Sequence, residues 1–127
     1  MDKKEIIKII DKMCMPKEEY YILGGSALVL LGIKEKTKDI DICISELLFK
    51  KLKEKYNVKE ENKNDCGFYK ISSEIEMVVN NKKEFDRIWA NNYPVENPKN
   101  ILKFKEDRNL EKDKIDIEKI KEYLKNK

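Results

Sequence analysis

The chain has 127 residues, 40% of them hydrophobic and 42% charged, which is enough apolar material for one modest core beneath a strongly ionic surface. Its 28 Lys+Arg against 25 Asp+Glu leave a net charge of +3, too even a balance for a protein built to coat nucleic acid, so any basic site must be local. The absence of histidine removes imidazole bases, His-ligated zinc, and Ser-His-Asp and Cys-His catalysis, leaving carboxylates, lysines, hydroxyls or a metal to carry chemistry.

In chain order, Asp2 is a candidate N-cap, and Ile6, Ile7, Ile9, Ile10 and Met13 recur at helical spacing until Pro16, which predicts an amphipathic first helix. Residues 20–23, YYIL, form a short apolar run that stops at Gly24-Gly25. SALVLLGI follows with the composition of a helix or a buried strand, and the glycine pair favours strand, tight turn, helix. From Lys38 the row DIDICIS alternates, with Asp39, Asp41 and Cys43 on one face and Ile40, Ile42 and Ile44 on the other. That pattern is a half-buried strand with two acids on its open face. Residues 46–56 return to helical spacing through Leu47, Leu48, Leu52 and Tyr56. GFYKIS and EIEMVVN, rich in branched and aromatic residues, read as a hairpin that extends the sheet, with Glu76 on the face opposite Ile75 and Met77. Beyond Asn80 the pattern reads as helical throughout: EFDRIWANNY, KNILKFKEDR after Pro98, then IDIEKIKEYLK. Phe85, Trp89 and Tyr93 fall at helical spacing, as core residues would.

Cys14, Cys43 and Cys66 are odd in number and widely spaced, with no C-x-x-C pair, so neither a disulfide framework nor a zinc site is indicated and a reducing cytoplasm fits best. The first residues show no secretion signal, and no window approaches the ~20 apolar residues of a membrane span, so a cytoplasmic protein without a membrane partner is expected. Arg87 and Arg108 are the only arginines, which assigns phosphate contacts chiefly to lysine and backbone N–H groups.

One arrangement has a specific chemical logic. Gly24, Gly25 and Ser26 are followed, after twelve intervening residues, by Asp39-Ile40-Asp41. The glycines let backbone approach an anion, and Ser26 falls at a helix start whose free N–H groups favour phosphate. Two carboxylates at i and i+2 on one strand face repel each other unless a divalent cation lies between them. Either feature alone is ordinary, a turn or a surface pair; in this order they describe a metal–nucleotide site.

The stretch GGSALVLLGIKEKTKDIDICIS resembles the core signature of the polymerase-beta-type nucleotidyltransferase superfamily. Its GGSAL and TKDIDI wording is most similar to small AbiEii-like members, which include components of toxin–antitoxin pairs. Lys103, Arg108 and the run Lys112-Asp113-Lys114-Ile115-Asp116 resemble the C-terminal helical pattern of such proteins. The resemblance implies that Gly24, Gly25 and Ser26 hold the terminal phosphates of an NTP and that Asp39 and Asp41 bind Mg²⁺ or Mn²⁺. A third acid, Glu76 ahead of Glu74, would complete the metal pair or act as base toward the acceptor hydroxyl, and Lys103 would neutralise triphosphate charge. Relatives often place an arginine ahead of the threonine where this chain has Lys34, Glu35 and Lys36. Thr37 itself reads as a brace for the strand start, Cys43 as a small packed residue, and Tyr69 as an aromatic that could contact a base but that nothing singles out.

The expected architecture is α/β (α+β): one nucleotidyltransferase-like domain over residues 1–127, with a short mixed sheet in a core at 18–80. Helices pack on one side of that sheet, and a helical C-terminal segment spans 82–127. The expected activity is Mg²⁺-dependent transfer of NMP from an NTP to an acceptor hydroxyl, releasing pyrophosphate. The resemblance points to a tRNA 3′ end or a protein as acceptor, in a toxin–antitoxin setting where an antitoxin or a second copy of the chain would be a partner. Two alternatives stand beside it: transfer to an antibiotic of the aminoglycoside or lincosamide type, and a catalytically inactive binding module of the same fold.

Overall fold

The computed structural model describes residues 1–80 and 86–126. Helix α1 (Lys3–Met13) starts at a capping box in which Asp2 accepts the Glu5 N–H at 2.9 Å and the Glu5 carboxylate accepts the Asp2 N–H at 3.3 Å. Its buried stripe of Ile6, Ile10 and Met13 faces the core. Strand β1 (Tyr20–Leu23) leads directly into α2 (Gly24–Leu30), and Gly24 takes a positive φ of +52° that lets the chain turn from one to the other without a Cβ clash. Strand β2 (Ile40–Ile44) then precedes α3 (Glu46–Lys55), whose N-cap Ser45 accepts the Leu48 N–H at 3.1 Å. The short β3 (Tyr69–Lys70) and β4 (Ile75–Val79) form the expected hairpin.

Over its described part, residues 86–93, the 84–93 stretch departs from the expected helix. Residues 87–96 are a second hairpin, β5 (Arg87–Ala90) and β6 (Tyr93–Glu96), paired from Arg87↔Glu96 to Ala90↔Tyr93 around the two-residue loop Asn91-Asn92. Asn91 sits at φ +56°, a conformation asparagine accepts more readily than other non-glycine residues, and that turn overrides the helical spacing of the aromatics. Trp89 is consequently 52% exposed on β5 instead of buried in a core, Tyr93 is half-buried, and Phe85 lies outside the described residues. The C-terminal segment is therefore not helical throughout and the sheet is not confined to 18–80. Helices α4 (Pro98–Arg108) and α5 (Lys114–Lys125) begin only after the second hairpin; Asn97 caps α4 by accepting the Lys99 N–H at 3.0 Å, with Pro98 at its first position.

The six strands form one mixed sheet in the order β3-β4-β2-β1-β6-β5. β1 is antiparallel to β2 and parallel to β6, and β2 is parallel to β4. Register puts Tyr20, Ile22, Ile42, Ile44, Met77 and Val95 on one face, all buried, where they join Ile6, Leu28, Leu48, Ile101 and Ile120 in one hydrophobic core. Burying each of these large side chains is worth roughly 1.5–3 kcal/mol, so this face holds the fold together. The opposite face carries Leu23, Asp41, Cys43 and Glu76. At one end of the sheet, the C-terminal ends of β1 and β6 meet the N-terminal ends of β2 and β4. The architecture is thus the expected α+β one, a mixed sheet with helices packed on it. Among the described residues no helix is long and apolar enough to cross a membrane.

Candidate functional site

That end of the sheet gathers the acidic residues. Leu23, the last residue of β1, is paired with Asp41, and Asp41 is paired across the other edge with Glu76. The period-two alternation that buries Ile40 and Ile42 turns Asp41 to the open face, while Asp39 lies exposed just ahead of the strand. Among the described residues, Asp41 Oδ1 is the only buried side-chain nitrogen or oxygen without a hydrogen-bond partner. Burial, then repulsion from Asp39 and Glu76, pushes the Asp41 carboxyl up to about 6. Glu74 is exposed ahead of β4; its carbonyl accepts the Ile40 N–H at 2.7 Å, which pins the start of β2 to β4.

The glycine turn is held from both sides. A Cβ on Gly25 would stand 2.8 Å from Thr37 Oγ1, so any larger residue there must push the Thr37 side chain aside. Thr37 Oγ1 reaches the Asp39 carbonyl at 3.5 Å, the bracing role its position suggested. The Ser26 side chain is 1% exposed, and its hydroxyl lies 3.4 Å from the Leu23 carbonyl and 3.3 Å from that of Asp39. Ser26 thereby ties the glycine turn to the strand that carries the aspartates. The Gly24 N–H donates to Glu96 Oε1 at 3.0 Å, so an internal carboxylate occupies this donor. Burial pushes the Glu96 carboxyl up, against the pull of the Gly24 N–H.

Facing the acids is a basic wall built from α4, the start of α5 and the segment between α2 and β2. Arg108 grips Asp113 in a fork, Nε to Oδ2 and Nη2 to Oδ1, both at 2.6 Å. Lys105 Nζ lies 3.2 Å from Asp113 and 3.4 Å from Asp116, and Lys34 Nζ reaches Asp116 at 3.2 Å. The Arg108 guanidinium holds the buried Asp113 carboxyl well below the usual carboxylate range. Between this wall and the aspartates lies a cleft of about 800 Å³, into which Gly25, Asp39 and Asp41 project from one side and Lys36, Lys38 and Lys112 add further positive charge.

Of the residues singled out in the sequence, the structure brings Gly25, Asp39 and Asp41 to this cleft, sets Glu76 beside Asp41, and keeps Gly24 and Ser26 at the turn behind it. Lys103 is different: it is exposed on α4 and does not line the cleft. Lys105 and Arg108 do. Two residues is a rotation of about 200° on a helix, so Lys103 and Lys105 take opposite sides. Tyr69 is buried on the core face, its ring 4.9 Å from Phe49 and its hydroxyl bonded to Glu60, away from the acids. Lys105 was legible only as part of an i, i+3 pair with Arg108 matched to Asp113 and Asp116 at the same spacing. Glu96 carried no signal once its strand was read as helix.

The donor set fits a divalent cation in a particular way. Among the described residues no three carboxylates or thiols stand as a ready-made cluster. Magnesium typically takes one or two carboxylates and completes its shell with water and substrate phosphate, and the unpartnered Asp41 Oδ1 beside Asp39 offers that partial set. No family model, curated protein or solved structure matches the chain. The functional reading therefore rests on the geometry of the cleft together with the resemblance of the sequence motifs.

Proposed function

We propose that the protein is a nucleotidyltransferase: an NTP lies in the cleft, an acceptor hydroxyl attacks its α-phosphorus, and pyrophosphate leaves. The observation that carries this reading is the meeting, in one cleft, of Lys36, Lys38, Lys112 and Arg108 with two like-charged aspartates, one bearing a buried oxygen without a partner. The cationic groups suit a polyanion, but a cleft made only to bind one gains nothing from carboxylates aimed at the same ligand. A divalent cation would resolve the conflict, since Asp39 and Asp41 would hold it and its charge would offset theirs toward a phosphate.

Asp39 and Asp41 would hold Mg²⁺ or Mn²⁺, which supplies neutralisation of charge on the attacking and leaving oxygens. The chain's own groups do the rest. Asp113 and Asp116 fix Lys105 and Arg108 so that the basic wall is in place before the nucleotide arrives, and preorganised charge of this kind lowers the barrier to phosphoryl chemistry. Glu76, beside Asp41, completes the acidic set or accepts the acceptor's proton. The sequence resemblance favours a tRNA 3′ end or a protein hydroxyl as acceptor, in a toxin–antitoxin setting. Isothermal titration of the four NTPs with Mg²⁺ or Mn²⁺ tests the site before any acceptor is known. Metal-dependent binding that is lost in the Asp39→Ala, Asp41→Ala double variant supports the reading, and a folded natural protein that binds no NTP refutes it.

A further inference from the structure

The cleft has a second lobe of about 370 Å³ that shares Gly25, Asp41, Lys105 and Arg108 with the cationic one. Its remaining walls are of another kind: Phe68, Phe104 and Ile101 are apolar, and Glu96 is the one acid that lines this lobe without lining the other. Phe104 is 59% exposed, with the Arg108 guanidinium 5.0 Å from its ring centre. We propose that this lobe is the nucleobase subsite of the same nucleotide, and that Glu96 selects bases presenting an amino group to it. The proposal rests on the nucleotidyltransferase reading and adds the orientation and the base preference.

Charge sets the orientation. Asp41, Lys105 and Arg108 line both lobes. The larger adds Lys34, Lys36, Lys38 and Lys112 to Asp39, Asp113 and Asp116, whereas the one charged group the smaller lobe adds is Glu96. The triphosphate is therefore drawn to the larger lobe, and the uncharged end of the nucleotide suits the smaller. The shared rim of Gly25, Asp41, Lys105 and Arg108 makes the two lobes continuous for a single ligand. A base offers flat faces to Phe104 and Phe68, and an aromatic wall takes any base that fits. Discrimination then falls to Glu96, held in place because its Oε1 accepts the Gly24 N–H at 3.0 Å. An ionised carboxylate only accepts hydrogen bonds. Adenine, cytosine and guanine each bring an amino group, whereas uracil has a single N–H between two carbonyl oxygens that the carboxylate repels.

The test compares ATP, GTP, CTP, UTP and inorganic tripolyphosphate, each with Mg²⁺ at pH 8, on the natural protein, Glu96→Gln and Phe104→Ala. The glutamine keeps an acceptor for the Gly24 N–H, and Phe104 is an exposed side chain, so both variants retain the fold, which a melting curve verifies. The natural protein is expected to bind UTP about tenfold more weakly than the others, as a donor–acceptor mismatch at a fixed polar group allows. Glu96→Gln, whose amide also donates, brings UTP level with them. Phe104→Ala weakens all four NTPs about tenfold through lost stacking and leaves tripolyphosphate unchanged. Tripolyphosphate binding with an identical NTP ranking in natural protein and Glu96→Gln overturns the base subsite while sparing the phosphate site. Failure of tripolyphosphate and every NTP to bind removes the nucleotide reading and this inference together.

Discussion

Two pairs of aspartates stand on opposite walls of one cleft. Asp113 and Asp116, at the start of α5, are buried and each lies within 3.4 Å of a cation, Asp113 held by Lys105 and Arg108 and Asp116 by Lys105 and Lys34. Asp41, beside Asp39 at the start of β2, is in no salt bridge among the described residues, feels repulsion from Asp39 and Glu76, and has one oxygen buried with no partner. The same side chain is held well below its ordinary range in Asp113 and pushed up to about 6 in Asp41. A pair made for stability is compensated inside the chain. A pair left uncompensated costs stability until something from outside completes it, which is the usual mark of a binding or catalytic group.

Breaking the compensated pair should have the largest effect. Asp113→Ala leaves the buried Lys105 with only Asp116 and releases Arg108, and removing one partner of a buried ion pair typically costs about 3–5 kcal/mol, read as a lower urea midpoint. Because the folded Asp113 carboxyl lies below its unfolded value, its contribution is present above about pH 4 and is lost as pH falls below that value. Asp113→Asn should abolish that acid-side dependence.

The uncompensated pair should respond with the opposite sign. A carboxylate whose folded pKa is raised binds more protons folded than unfolded, so stability falls as pH rises from about 4 to about 6 and stays low above that. Asp41→Asn should therefore stabilise the protein at pH 7.5, by on the order of 1 kcal/mol once solvent screening is allowed for, with the gain shrinking as pH falls from 6 toward 4. Magnesium should raise the melting temperature of the natural protein by a few degrees and that of the Asp39→Ala, Asp41→Ala variant not at all, with a chelator reversing the shift.

A smaller effect tests the turn. Gly25→Ala forces Thr37 aside and should cost about 1 kcal/mol, recovered in part when Thr37→Ala is added, a coupling that a thermodynamic cycle on melting curves measures. The smallest contrast is between neighbours on α4: Lys103→Ala should leave NTP affinity within about twofold, whereas Lys105→Ala weakens it and lowers stability as well, since Lys105 is buried against two aspartates.

The parts of the molecule that could be read from the chain are those where local pattern and tertiary position agree. The alternation in DIDICIS both buries Ile40 and Ile42 and turns Asp41 outward, so strand, core face and acid face follow from one run of residues. The capping box at Asp2 and the Gly24-Gly25 turn are equally local. The second hairpin was missed because its aromatics happen to fall at helical spacing while its deciding feature, Asn91 at positive φ, is conformational. With that strand misplaced, Glu96 could not be found, and its bond to Gly24 spans 72 residues. Lys105 was displaced to Lys103 for a related reason: which side of a helix faces a cleft depends on what packs behind it, here Ile101 in the core and α5 alongside.

The contrast between the two pairs is tested most directly by measuring, on the same preparation of Asp41→Asn, its urea stability and its Mg²⁺-dependent NTP affinity at pH 7.5. The expected result is a protein more stable than the natural one that has lost metal-dependent nucleotide binding. A variant that is less stable, or one that binds Mg²⁺–NTP as tightly as the natural protein, would contradict the assignment of Asp41 to an incomplete cation site.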